Sequence, residues 1–210
     1  MTNHSAFKSL KWLRLSLFVT TSALATGALA DVAATLETCA GCHGKDGAST
    51  NAEMPIIGGY SATYLSGSLT NYKTKARPCP KATFNAGAQK GQSGDMCTVA
   101  GALSDADIAA VADYLSKKPF VRAKQTTDAA KAAHGKQIHE ANCVKCHTEG
   151  GSSADDDAGI LAGQWLQYVN HTFEEFKSGQ RPLPKKMKPK FDVLSKDDMD
   201  ALANYYASFK

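Results

Sequence analysis

Cys39-Ala40-Gly41-Cys42-His43 and Cys143-Val144-Lys145-Cys146-His147 both read C-x-x-C-H. Two thiols one helical turn apart can bond the two vinyl-derived carbons of a single porphyrin. The histidine that follows then lies under the iron and can supply an axial nitrogen, so the pattern marks covalent haem attachment. Paired C-x-x-C spacings can also hold zinc, but compact zinc modules keep their pairs close together. Here the two motifs stand 104 residues apart and each ends in histidine. The expected cofactors are therefore two haem c groups, attached through Cys39 and Cys42 and through Cys143 and Cys146, with His43 and His147 as axial ligands.

The other axial position decides between electron transfer and catalysis, because an open site is needed for substrate chemistry and a methionine there raises the potential. Met54, Met96, Met187 and Met199 are available. An internal repeat separates them. Ile56-Ile57-Gly58-Gly59-Tyr60 and Tyr64-Leu65 match Ile160-Leu161-Ala162-Gly163-Gln164 and Tyr168-Val169 at the 104-residue offset of the haem motifs. Nearer the end of each half, Leu103-Ser104 matches Leu194-Ser195 at an offset of 91, and Met96 matches Met187 at the same offset. The first half thus carries a net 13 extra residues between about Asn71 and Met96. Met96 and Met187 are the expected second axial ligands. Met54 lies close to His43 in sequence, and Met199 falls on the apolar stripe Met199, Leu202, Ala203, Tyr206 of the last helix. A bis-histidine centre would need His134, His139 or His171, none of which has a counterpart in the first half; surface or packing roles suit them.

These ligands require a common all-α scaffold in each half. A short helix leads into C-x-x-C-H, a glycine-containing turn follows, and a middle helix spans about 62–72 or 165–178. A loop then presents the methionine, and an amphipathic helix closes the unit. Ser104 and Ser195 stand where N-caps belong, and Ile108, Val111, Ala112 and Leu115 form one helical face. A unit of ~80 residues has a thin core of its own, which a haem would fill. The expected fold is two tandem domains, 31–118 and 134–210, each wrapped around one haem, joined by a linker over 119–133 in which Pro119 ends the preceding helix.

Residues 1–30 read as a cleaved signal peptide. Lys8, Lys11 and Arg14 precede an apolar and small-residue run, and Ala28-Leu29-Ala30 offers a small-x-small cleavage site before Asp31. The run falls short of the ~20 apolar residues of a spanning helix, so export to the periplasm with no membrane span after cleavage is the expectation. The chain carries a formal charge of +4, of which only +1 remains from Asp31 onward (21 basic against 20 acidic residues). That is too little basic excess for nucleic-acid binding.

Cys79 and Cys97 are left over once the haem motifs are assigned. In an oxidising compartment a disulfide between them is the leading reading, and a reactive thiol is the alternative. The bridge would hold the expanded loop so that Met96 stays on iron. Arg181, Lys185, Lys186, Lys188 and Lys190 surround Met187 and could steer an acidic redox partner; a merely solvated loop is the other reading. Asp155-Asp156-Asp157 reads as a solvated loop.

The chain as a whole resembles the diheme class I cytochromes c of the cytochrome c4-like group. The second half is closer still to the diheme cytochrome subunit of flavocytochrome c sulfide dehydrogenase, through Cys143–Gly151, Ile160-Leu-Ala-Gly-Gln-Trp165 and Arg181-Pro-Leu-Pro-Lys-Lys-Met187. The resemblance implies the same axial pairs, His43 with Met96 and His147 with Met187. It implies two cytochrome c folds about a pseudo-twofold axis, with haem propionates near one another and Gln164 and Trp165 near the second haem's propionate edge. In the first half the Pro55 carbonyl could accept from the His43 ring; the second half has Gly159 at that place. The implied role is electron transfer rather than catalysis by the chain itself. The donor would be a sulfur-compound-oxidising dehydrogenase, such as an FAD-containing sulfide dehydrogenase subunit, and the electrons would pass to a respiratory or photosynthetic chain. A free carrier to a terminal oxidase is the alternative; a diheme peroxidase or thiosulfate dehydrogenase is disfavoured because a methionine fills each iron position. No G-x-G-x-x-G follows a strand, so the chain binds no flavin by that route.

Overall fold

The computed structural model describes residues 1–2 and 26–210. The chain is helical, with eight helices and one two-stranded ribbon among the described residues: α1 (Thr26–His43), α2 (Ala62–Lys73), β1 (Ala82–Thr83), β2 (Ser93–Gly94), α3 (Met96–Gly101), α4 (Asp105–Ser116), α5 (Ala129–Asn142), α6 (Leu166–Lys177), α7 (Lys188–Phe191) and α8 (Lys196–Ala207). Residues 3–25 of the region read as a signal peptide lie outside the described residues, and α1 runs through its expected cleavage point. Among the described residues no helix is long and apolar enough to cross a membrane.

The helix starts follow from short polar side chains. Ser104 accepts from the Asp107 N–H while Asp107 accepts from the Ser104 N–H, a reciprocal capping box that opens α4. Ser195 and Asp198 repeat it at α8. Ser61 caps α2 and Asp128 caps α5. Each half then closes around its own core. Leu65 and Leu69 of α2 meet Ala100, Leu103 and the Ile108, Val111, Ala112, Leu115 face of α4. Val169 and Phe173 of α6 meet Phe191, Leu194 and the Leu202, Ala203, Tyr206 face of α8, with Met199 at its edge. Ile160 of the second half is buried in the first core, so the two units share apolar contact.

The extra residues of the first half form the ribbon, in which Ala82 pairs with Gly94 and Thr83 with Ser93, antiparallel. It folds back onto the first C-x-x-C turn. The amides of Asn85 and Ala86 donate to the Gly41 carbonyl at 2.7 and 3.2 Å. A Cβ on Gly41 would lie 2.6 Å from the Phe84 ring, so only glycine admits this approach. The equivalent residue of the second half, Lys145, is exposed and meets no such ribbon.

The connection between the halves is docked. Phe120 stacks on Tyr60, Ala123 N–H donates to the Gly163 carbonyl, and Gln125 bonds both the Gln164 carbonyl and the Leu166 N–H. Gly59 and Gly163, equivalent residues at φ 82° and 86°, let this segment pass close by. Helix α5 begins at Ala129, within the stretch read as linker, so the boundary drawn at 133/134 falls inside a helix. The Ala-rich composition there already favours helix, and Asp128 sets where it starts.

Candidate haem-binding sites and their interface

A chamber opens in the first half with an empty volume of about 1330 Å³, its mouth included. Cys39, Cys42 and His43, at the C-terminal end of α1, line it together with Met96, the first residue of α3. Between them the walls are mostly apolar: Ile57, Leu65, Leu69, Val99, Leu103 and Val111 are among the lining residues. Met54, set aside on sequence grounds, also lines it. A large flat apolar group that needs two thiols and two iron ligands fits this donor set and this cavity.

His43 is 7% exposed. Its Nδ1 lies 2.9 Å from the Pro55 carbonyl, which fixes the ring as a donor on that side and leaves the other nitrogen for a metal. Burial lowers its pKa, partly offset by the bond to Pro55, so the ring is neutral and able to ligate. Burial pushes the Cys39 thiol up to about 11 and raises Cys42 as well. A dithiol redox pair needs a lowered thiol pKa, so this turn does not suit that chemistry. After His43 the chain makes a 3-10 turn, Lys45–Gly47, anchored on α4: Tyr114 donates to Asp46 at 2.7 Å and Lys118 pairs with it at 3.3 Å.

Met96 is held by local devices. Asp95 caps α3, accepting from Thr98 N–H at 2.7 Å, and pairs with Lys81 at 2.6 Å. The Lys81 contact, with the Thr98 N–H, holds its carboxyl down at about 2. A disulfide joins Cys97, next to Met96, to Cys79 on the segment that carries Arg77, Pro78 and Pro80 along the chamber wall.

In the second half Cys143 and Met187 both pack against the Val169–Tyr206 core. His147 is half-buried and Cys146 exposed. Met187 is the N-cap of α7, so each methionine stands at the start of a short helix. Burial lowers the His147 pKa. No hydrogen bond joins the His147 ring to Gly159; the turn after it is held instead by Asp156, whose carboxylate accepts from the Thr148 N–H at 2.6 Å and hydroxyl at 2.9 Å. The acidic triplet is therefore not simply solvated: one member fixes the loop behind a haem-motif histidine. His139 is fully buried as a packing residue, with Nδ1 3.0 Å from the Tyr206 hydroxyl. His134 is exposed and lies 3.3 Å from Asp198.

The interface joins equivalent positions of the two halves. Gln164 and its counterpart Tyr60 bond each other at 2.8 Å. Gln164 also grips both polar backbone atoms of Ile56, at 3.0 and 2.9 Å. Tyr60 donates to Ile160, the counterpart of Ile56. Trp165 donates to the Ser49 carbonyl. Gln164 and Trp165, tied by resemblance to the second haem's edge, thus direct their side chains to the first half.

Residues of the second half also line the first chamber: Tyr168, His171 and Glu175. The sequence reading gave His171 no such place. Two arginines flank this region, Arg77 buried and Arg181 half-buried. Arg77 stacks on Tyr72 at 4.4 Å and Arg181 on Phe176 at 4.6 Å, and each keeps a buried nitrogen without a hydrogen-bond partner. Tyr168 feels both: burial raises its phenol pKa, but Arg77 and Arg181 outweigh it and the net shift is down. The sequence marks this pair by a second repeat. Arg77-Pro78-Cys79-Pro80-Lys81 repeats as Arg181-Pro182-Leu183-Pro184-Lys185 at the 104-residue offset, which narrows the extra residues to the span between Lys81 and Met96. Arg181 also lies 3.9 Å from Glu175, and Lys188 pairs with Asp192 at 2.7 Å. The basic loop is therefore reduced to Lys185, Lys186 and Lys190 as unpaired surface cations.

Two covalent-haem motifs in two helical units, each with a methionine at a helix start, define a diheme class I cytochrome c. Residues 30–118 match the family model described as cytochrome c, and residues 130–205 match that described as cytochrome C oxidase, cbb3-type, subunit III. Cytochrome c4 of Azotobacter vinelandii is 30% identical over 184 residues, spanning 83% of this chain and 84% of that protein. The thiosulfate dehydrogenase electron acceptor of Stutzerimonas stutzeri is 28% identical, spanning 81% of this chain and 78% of that protein. The crystal structure of reduced cytochrome c4 from Pseudomonas stutzeri superposes with a TM-score of 0.69 over 87% of this chain and 98% of that one, at 24% identity. The chain belongs to the cytochrome c4 family. It is an electron-transfer protein with two cytochrome c domains and two haem c groups.

Proposed function

We propose that this chain is an exported periplasmic carrier that takes electrons one at a time from a sulfur-compound-oxidising dehydrogenase and passes them to an electron-transport chain. Cys39 and Cys42 hold one haem and Cys143 and Cys146 the other, with His43 and Met96, and His147 and Met187, on the two irons. Each haem iron gains or loses a single electron, so the chain stores two. The observation that carries the reading is the first chamber, where two thiols, a neutral histidine held by the Pro55 carbonyl and a methionine tethered by a disulfide line one apolar cavity. The apolar lining would keep water from the haem, the Pro55 carbonyl would fix the histidine and the bridge beside Met96 would hold the methionine, a set of ligands suited to electron transfer.

Thiosulfate oxidation is the favoured source of electrons, because a relative matched along most of this chain is named as the acceptor for thiosulfate dehydrogenase. A sulfide-oxidising flavoprotein is the second reading, carried by Cys143–Gly151 and Arg181–Met187. Gentle purification from the native periplasm, followed by the flavin-to-haem ratio and stopped-flow mixing with a thiosulfate dehydrogenase and thiosulfate, tests both. Two haems per chain, no flavin and rapid reduction are expected. One flavin for every two haems would establish the second reading; no flavin together with no reduction by thiosulfate dehydrogenase would overturn the sulfur link.

A further inference from the structure

Gln164 is fully buried and every hydrogen-bonding position of its amide is used. Its oxygen accepts from the N–H groups of Ile56 and Trp165, and its nitrogen donates to the Ile56 carbonyl and the Tyr60 hydroxyl. Ile56 is itself fully buried and follows Pro55, whose carbonyl holds the His43 ring. A side chain of the second half therefore clamps, from both sides of one residue, the backbone that orients an iron ligand of the first half.

The reverse connection is different. Tyr60 reaches only the Ile160 carbonyl, at 3.2 Å, and no bond runs from the preceding residue, Gly159, to His147. The two sites are related by a pseudo-twofold repeat, yet only the first has its histidine tied across the interface.

We infer that Gln164 is a positioning residue for His43, through which the second half sets the reduction potential of the first haem independently of the second. A hydrogen bond from a ligating imidazole to a carbonyl makes the imidazole a stronger donor, and second-shell bonds of this kind are a lever on haem potential. A stronger donor favours the oxidised iron. Loosening the clamp weakens the bond to Pro55, and the first haem becomes easier to reduce. The inference rests on the haem ligation proposed above.

The test is a spectroelectrochemical titration of the full chain with both haems attached, comparing the parent with Gln164→Met, which keeps the volume and removes the bonds, and with Gln167→Ala. Gln167 makes an exposed bond across the same interface, to Glu53, without touching Ile56. The Gln164→Met chain should show one wave moved to higher potential by about a tenfold change in equilibrium constant, ~59 mV for one electron, with the other wave in place. The Gln167→Ala chain should match the parent. Unmoved waves, two waves moved together, or an equal effect of Gln167→Ala would overturn the inference. If Gln164→Met does not fold, Tyr60→Phe removes the hydroxyl that accepts from the amide nitrogen, and with it the bond to the Ile160 carbonyl; it should move the same wave by less, and an unmoved wave there is equally decisive. A chain lacking two haems would instead refute the ligation itself.

Discussion

Tyr60 and Gln164 are equivalent residues of the two halves, and their side chains meet at 2.8 Å. A pseudo-twofold axis must pass close to that contact, because each then bonds the counterpart of what the other bonds: Gln164 the backbone of Ile56, Tyr60 that of Ile160. The contact also breaks the symmetry it marks. The Gln164 amide satisfies both polar backbone atoms of Ile56, whereas the Tyr60 hydroxyl, which accepts from Gln164, reaches only the Ile160 carbonyl. With Pro55 bonded to the His43 ring and Gly159 at the equivalent place in the second half, the two sites share a motif but not the support behind the histidine.

The Cys79–Cys97 bridge should matter to Met96 as well as to stability. It closes a separation of 18 residues, for which the chain-entropy model gives about 3 kcal/mol. The double Cys79→Ser, Cys97→Ser chain should unfold at lower denaturant and lose part of the methionine–iron absorption signature of one haem while keeping the other's. A fully retained signature would separate the bridge from ligand retention.

Gly41 should tolerate no side chain while Phe84 covers it. Gly41→Ala should destabilise by about 1–3 kcal/mol, as overpacking does. In a Phe84→Ala background the same change should cost clearly less, because the obstructing ring is gone and only the Ala86 carbonyl, 3.3 Å from the new Cβ, remains close. A double-mutant cycle by chemical denaturation reads the coupling; equal costs in both backgrounds would remove the ribbon from the explanation.

The capping boxes predict an acid response. Hydrogen bonds from Ser104 and Ser195 are the leading cause holding the Asp107 and Asp198 carboxyls below the ordinary 3.8. Groups so lowered contribute stability that is present above 3.8 and disappears as pH falls through their folded values. Asp107→Asn and Asp198→Asn should therefore cost stability at neutral pH and flatten its loss in acid below about pH 4. Ser104→Ala or Ser195→Ala should each cost about 1 kcal/mol. Thermal melts from pH 7 downward measure both.

Charge at the second site should show in rates. Replacing Lys185, Lys186 and Lys190 with Gln should slow electron exchange with an acidic partner by about tenfold at low salt, and added salt should erase the difference. Arg181→Gln should not act this way, since Arg181 is half-buried against Phe176 and Glu175. A salt-independent rate in the parent chain would exclude steering by this loop.

Covalent chemistry and local rules were legible without coordinates. C-x-x-C-H needs only one helical turn to specify its reaction, a serine followed three residues later by aspartate specifies a helix start, and a constant offset of 104 residues specifies a duplicated unit. These depend on neighbours in the chain, so spacing carries them. Even the paired arginines were written there, as a repeated Arg-Pro-x-Pro-Lys, although their burial was not. The tertiary structure alone decided what depends on distant residues meeting: that the ribbon of extra residues lies over Gly41, that Asp156 reaches back to Thr148, that Tyr168, His171 and Glu175 line the other half's chamber, and that Gln164 grips Ile56. Each is a directional contact between segments whose separation in sequence says nothing of their approach, fixed only when two apolar cores close and buried polar groups must find partners.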